Sequence, residues 1–202
     1  MSRVVCFALE RESTYFHRHR PAERVLILGV GAEAARNALQ SLDASVDSLI
    51  VCGFAGALQP GIEIAQVIEV GEVIDESGNG WKCDSDSPSR LLTASRLIAD
   101  PREKRELGQR FDATIVDMES AIVASFAVER NIPIRCIRTV SDTVDRGISP
   151  RLTRLINAGD VSPFRLMREL FVAPSLLVEL LRLQRHTQRA SRTLGEHLTA
   201  IL

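Results

Sequence analysis

Short, nearly continuous apolar runs separated by helical patterns constrain the fold of this chain more than any other feature. The runs are Val4–Leu9, Arg24–Val30, Ser48–Cys52, Gln66–Ile74, Arg90–Ala94, Thr114–Val116 and Ile134–Val140. Several hold little but Val, Ile, Leu and Cys, as expected for strands covered on both faces. Helical patterns lie between them. Ala32–Leu42 opens just after Gly29-Val30-Gly31. Pro101–Arg110 has Asp100 as its cap and Pro101 at its first position. Met118–Arg130 ends before Asn131 and Pro133. Alternation of this kind argues for an α/β protein with a mostly parallel sheet.

The length of 202 residues suits one domain with a real core. A net charge of -1 gives no overall attraction to nucleic acid or anionic lipid. No apolar run approaches the roughly 18 residues of a transmembrane helix, and the start meets Glu10, Arg11 and Glu12 too soon for a signal peptide. Cys6, Cys52 and Cys136 sit inside apolar runs and Cys83 in a polar stretch, without metal-type spacing. A reduced, cytoplasmic protein is the expectation. The Gly-, Ser- and Asp-rich stretch 75–88, with the single Trp81, reads as an exposed loop. His17 and His19 read as surface imidazoles on a loop, His186 and His197 as solvated, and Arg102, Glu103 and Lys104 as an exposed helix face.

The texture changes after residue 148, dividing the chain into a core of 1–148 and an Arg/Leu-rich helical extension of 149–202 packed on the same domain. The extension has eight Arg against four acids, so it is locally basic although the whole chain is not. Leu176, Leu180, Leu183, Ala190, Leu194, Leu198 and Ile201 form one stripe, and Arg182, Arg185, Arg189 and Arg192 form another face. Packing on the core or on a second subunit is the plain reading. Peripheral contact with a membrane or a lipid-like substrate is the sharper one. Nucleic acid is not expected, because stacking aromatics are missing from the stripe.

Gly29-Val30-Gly31-Ala32-Glu33-Ala34 fits a G-x-G-x-x-A dinucleotide fingerprint between a strand and a helix. Such a site needs an acid about 20 residues on to hold the ribose. Val51-Cys52-Gly53 stands there instead. The glycines therefore read as allowing close helix–strand approach, and no organic cofactor or metal is expected.

Acids recur where strands end. Glu119 follows the Thr114–Val116 run, Asp142 closes Ile134–Val140, and Glu10-Arg11-Glu12 follows the first run. Ligands bind at the carboxyl edge of open α/β sheets, and a carboxylate there can accept from both hydroxyls of a ribose diol. Each acid taken alone also fits a helix cap or a surface charge. Gly53-Phe54-Ala55-Gly56-Ala57-Leu58 adds a fourth strand end, whose small residues let a backbone approach a ligand.

In order and spacing, five segments resemble the purine nucleoside phosphorylase and nucleosidase superfamily, in its branch with methylthioadenosine/S-adenosylhomocysteine nucleosidases. They are Ala8-Leu9-Glu10-Arg11-Glu12, Gly29-Val30-Gly31, Gly53–Leu58, Val116-Asp117-Met118-Glu119-Ser120-Ala121 and Arg138-Thr139-Val140-Ser141-Asp142. The resemblance implies a three-layer α/β fold with a central mixed sheet flanked by helices, followed by the C-terminal helical tail. It implies cleavage of the N-glycosidic bond of a purine nucleoside, with adenine as the base, without metal or organic cofactor, by a homo-oligomer. Glu119 would hold the ribose hydroxyls, with Met118 against the sugar. Asp142 would be the acid at the purine N7, oriented by Ser141. Glu12 would position the attacking water. Phe54, Ala55 and Gly56 would line the site, and the backbone at Ile98 would lie beside the base.

Purine departure leaves an oxocarbenium-like sugar, and a general acid typically supplies 10²- to 10⁴-fold. A carboxyl doing this near neutrality must keep its proton about three units above its ordinary range, roughly 4 kcal/mol of differential stabilisation. An arginine paired with that carboxyl would oppose this, so Arg138 is expected to turn away from Asp142. The chain departs from the family at Phe54, where a serine is expected near the nucleophile, and no arginine matches the phosphate-binding ones. Water and phosphate both remain open as nucleophiles, with hydrolysis favoured. A short segment between residues 75 and 117, the Asp100-Pro101 helix start and the Arg/Leu tail look like the hopanoid-associated phosphorylase subgroup, which implies an adenosyl-lipid substrate. The alternatives are a nucleoside-binding sensor on the same fold and, less favoured, a dinucleotide-dependent oxidoreductase.

Overall fold

A computed structural model describes residues 2–147, 149 and 175–202. Strands β1 (Ser2–Phe7), β2 (Val25–Ile27) and β3 (Val46–Ala57) run parallel, with β1 in the middle. β4 (Val67–Val70), β5 (Glu72–Asp75), β6 (Gly80–Lys82), β7 (Arg90–Thr93), β8 (Ile115–Asp117) and β9 (Ile134–Asp142) complete one mixed sheet. Its order is β2-β1-β3-β8-β7-β5-β6, with β9 on β3 and β4 on β9. The pairs β3–β8, β4–β9 and β5–β6 are antiparallel and the rest parallel.

Burial follows the two-residue period of a strand. Val4 and Cys6 of β1, with Leu49 and Val51 of β3, pack under Ala35 and Leu39 of α2 (Ala32–Leu39) and Ala121, Val123 and Ala124 of α4 (Ser120–Glu129). Val5, Phe7, Ile50 and Cys52 point the other way, against Phe16 of α1 (Glu10–His19) and Leu194 and Leu198 of α5 (Ser175–Ile201). A third cluster joins Leu58, Ile74, Leu92 and Val116 to Leu107 and Phe111 of α3 (Pro101–Phe111). Helices thus cover both faces, which accounts for the near-continuous apolar runs. Each fully buried Leu contributes roughly 1.5–3 kcal/mol.

Four expectations are corrected. The run Gln66–Ile74 is two strands, because β4 pairs β9 while β5 pairs β7, and the chain changes partner at Gly71. There Gly71 N–H donates to Ser89 O and its carbonyl accepts from Cys83 N–H, both at 2.9 Å. The stretch 75–88 is not all loop: Asp75 Oδ1 accepts from the amides of Ser77 and Asn79, tying a hairpin into β6. Cys83 is buried in the core rather than set in a polar loop. His17 and His19 lie in the last turn of α1, not on a loop, and His19 stacks on Tyr15 with ring centroids 4.3 Å apart. All four cysteines are free and buried; burial pushes the Cys6 and Cys83 thiols up to about 12.

Ala190, Leu194 and Leu198 of α5 are fully buried against the sheet, and Ile201, placed on the same stripe by sequence, is 38% exposed. Arg182, Arg185, Arg189 and Arg192 face solvent. Residues 150–174 of the Arg/Leu-rich extension and the side chain of Leu176 lie outside the described residues. Among the described residues no helix is long and apolar enough to cross a membrane.

Candidate active site

β3 runs five residues beyond the expected Cys52 because its small residues let neighbours crowd in. β1 flanks it as far as Cys52, then β8 takes the same edge at Gly56 and Ala57, while β9 follows the other edge throughout. A Cβ on Gly53 would sit 2.5 Å from Arg138 Nη1 and 3.0 Å from Glu12 Oε2. A Cβ on Gly56 would sit 3.0 Å from Asp142 Oδ2. The two glycines mark two places where side chains cross the strand's backbone, and the acids divide between them.

Around Arg138 gather Glu12, Asp117 and Glu119. Arg138 is 1% exposed; its Nη2 donates to Asp117 Oδ2 at 2.7 Å and to Ser120 Oγ at 2.5 Å. It is thus turned away from Asp142. Asp117 Oδ1 also accepts from Thr93 Oγ1 at 2.9 Å. Glu12, in the first turn of α1, accepts from Leu9 N–H at 3.0 Å and from Phe54 N–H at 3.1 Å, one bond to each oxygen. Burial raises its proton affinity, opposed by Arg138 and by those two amides. Glu119 precedes α4 and accepts from Gly31 N–H at 2.7 Å. Burial, then the charge of Asp117, pushes its carboxyl up to about 7 against the pull of the Gly31 amide and Arg138.

The glycine-rich turn therefore serves a carboxylate, because the Gly31 amide that would hold a pyrophosphate is already bonded to Glu119. Phe54 likewise contributes to Glu12 through its backbone, a bond that the missing serine hydroxyl does not affect. The Phe54 ring is half-buried and borders a cavity of about 590 Å³ between α1 and α5.

The second group forms on Asp142, at the end of β9. Ser141 Oγ lies 2.8 Å from Asp142 Oδ1 and 3.3 Å from the Ala55 carbonyl. Asp142 Oδ2 accepts from Lys104 Nζ, which also donates to Thr143 O at 3.1 Å. Lys104 is fully buried, correcting its assignment to an exposed helix face. Its position has a physical cause: Lys104, Leu107, Gly108 and Phe111 fall at helical spacing on the inward stripe of α3. Asp142 thus has a cation of its own, one that the sequence reading did not assign to it. Half-buried His186 of α5 is a further neighbour missed by the sequence reading. Burial and then the charges of Arg182 and Arg146 lower its proton affinity, and Asp142 opposes them.

Ala55 and Gly56 link the two groups along β3, and Met118 lies half-buried between Asp117 and Glu119. Ile98 is buried in the third cluster, on the loop leading from β7 to α3. Among the described residues no group of His, Cys, Asp and Glu has the arrangement of a metal site.

Residues 87–159 match the family model described as the phosphorylase superfamily. The fold is similar to 5′-methylthioadenosine/S-adenosylhomocysteine nucleosidase of Helicobacter pylori, with a TM-score of 0.73 at 13% identity over 98% of this chain and 96% of that one. It is equally similar to a futalosine hydrolase mutant of Helicobacter pylori, TM-score 0.73 at 12% identity over 98% and 97%. The nucleosidase of Chlamydia trachomatis gives 0.66 at 17% identity over 98% and 96%. No curated protein sequence matches the chain significantly. At these identities the likeness is one of fold, and it agrees with the family resemblance and the mixed-sheet architecture read from the motifs.

Proposed function

We propose that this chain, which carries the fold of the nucleosidases, hydrolyses the N-glycosidic bond of a purine nucleoside. The carrying observation is the division of the acids: Glu12 and Glu119 in one group and Asp142 in another, joined by the residues of β3 between Gly53 and Gly56. Such spacing suits a sugar held at one group and a base at the other. Glu119 accepts from the ribose hydroxyls with Met118 against the sugar face. Glu12, fixed by the Leu9 and Phe54 amides, orients water toward the anomeric carbon and takes its proton. Asp142, oriented by Ser141, serves the departing base.

Charge supports water over phosphate. Three buried carboxylates surround the buried guanidinium of Arg138, so acids outnumber the buried cation there and a phosphate dianion is disfavoured. Within this reading the 5′ substituent is bulky and amphipathic, up to an adenosyl-lipid. Its support is the cavity beside Phe54, where Leu180 and Leu183 line one part and Arg11 and Arg192 another.

The test is product identification by mass spectrometry after incubation with adenosine derivatives of differing 5′ groups, with and without phosphate. Free purine and free sugar are expected in both conditions. A sugar 1-phosphate would sink the hydrolytic assignment. Binding of nucleosides with no base release from any of them would mark a sensor instead of an enzyme.

A further inference from the structure

We propose that Lys104 supplies, through Asp142, the proton that the departing base receives, acting as a positioning residue for Asp142. The inference rests on the nucleoside-cleaving reading above. Both oxygens of Asp142 are engaged, Oδ1 by Ser141 and Oδ2 by Lys104. A carboxylate that accepts at both oxygens has no proton of its own to give. The fully buried ammonium of Lys104 donates to Asp142 Oδ2 and to the Thr143 carbonyl, and only the carboxylate can accept a proton outright. The other titratable group in electrostatic reach of Asp142 is His186 on α5, and Arg146 just past β9 lies near that imidazole. An arginine keeps its proton, and both of these lie outside hydrogen-bond contact with the carboxylate.

The step balances without a further reactant. The Lys104 Nζ–H bond breaks as an Asp142 O–H bond forms. That O–H breaks as an N–H bond forms on the purine ring, and the C1′–N9 bonding pair remains on the base. Water attacks the anomeric carbon and loses its proton to Glu12. Release of that proton to solvent and uptake of one by Lys104 restore the starting state.

The experiment compares two substrates in the intact protein. One is a purine nucleoside cleaved by the wild type. The other is 4-nitrophenyl β-D-ribofuranoside, whose phenolate departs without needing a proton. Lys104→Arg keeps the cation but removes the transferable proton, and Lys104→Met removes both. Each is expected to lower kcat/KM on the purine nucleoside by about 10²-fold or more and on the riboside by less than about 5-fold, the size of a general-acid contribution. Lys104→Met combined with Asp142→Asn is expected to be no worse than either alone, because the two act as a unit.

Thermal melting identifies which variant is folded, so either one suffices. Near wild-type purine cleavage by Lys104→Arg, or equal losses on both substrates, would overturn the proposal. Wild-type protein that cleaves neither substrate would instead overturn the functional reading beneath it.

Discussion

The two ends of the site hold carboxylates in opposite ways. At the end proposed to hold the sugar, Glu12, Asp117 and Glu119 crowd one guanidinium, so acids outnumber that cation in a dry space. At the end proposed for the base, Asp142 has Lys104 to itself and stays 18% exposed. Burial acts first on Glu119 and the charge of Asp117 adds to it, so one shared guanidinium leaves the crowded acids short of compensation. A crowded group such as Glu119 takes up a proton readily near neutrality, whereas the paired Lys104 and Asp142 meet as one cation and one acid.

Removing the shared cation should break the sugar end outright. Arg138→Met is expected to cost about 3–5 kcal/mol, read by urea denaturation, with a larger loss at pH 8 than at pH 5. An equal loss at both pH values would show that Arg138 acts by packing rather than charge. Next in size, Glu119→Gln should lower kcat/KM by about 10²-fold, by the loss of hydrogen bonds from a charged acceptor at roughly 1.5–3 kcal/mol.

The same residue fixes the pH dependence of stability. The proton affinity of Glu119 is raised in the folded state, so its stabilising contribution is fully present below its unfolded value of 4.5 and is lost as pH rises through about 7. Melting temperature should therefore fall between pH 5 and pH 8 in the wild type, and Glu119→Gln should flatten that fall. A steeper fall in the variant would contradict the assignment. Asp117→Asn sharpens the point: by removing the neighbouring charge it should move the midpoint downward, toward the ordinary carboxylate range. The smallest effect belongs to the base end. Ser141→Ala removes one hydroxyl from Asp142 and should cost about 1 kcal/mol, roughly 5-fold in kcat/KM, with no change in the pH dependence of melting.

Much of this arrangement was legible in the sequence because it is local. Strand ends followed by acids, a proline-led helix at Pro101 and two-sided apolar runs each declare themselves within a few residues. The positions of Glu12, Glu119 and Asp142 just past strand ends were legible that way. Lys104 was missed because flanking charges made α3 look uniformly exposed; the signal was its place on the stripe with Leu107 and Phe111. His186, forty-four residues further on, is brought toward Asp142 by α5, a proximity that no local pattern encodes. The extension of β3 past Cys52 escaped notice because Gly53, Ala55 and Gly56 read as a turn, although close approach by Arg138 and Asp142 is what demands small residues there.

The bond from Gly31 N–H to Glu119 Oε1 makes the glycine turn a spectroscopic witness to the sugar end. The amide proton of Gly31 senses the charge on its acceptor, so its chemical shift should titrate with Glu119 and move again when a diol occupies that carboxylate. One backbone resonance, far in sequence from either acid-bearing strand, would then report protonation and ligand occupancy without any label on the ligand.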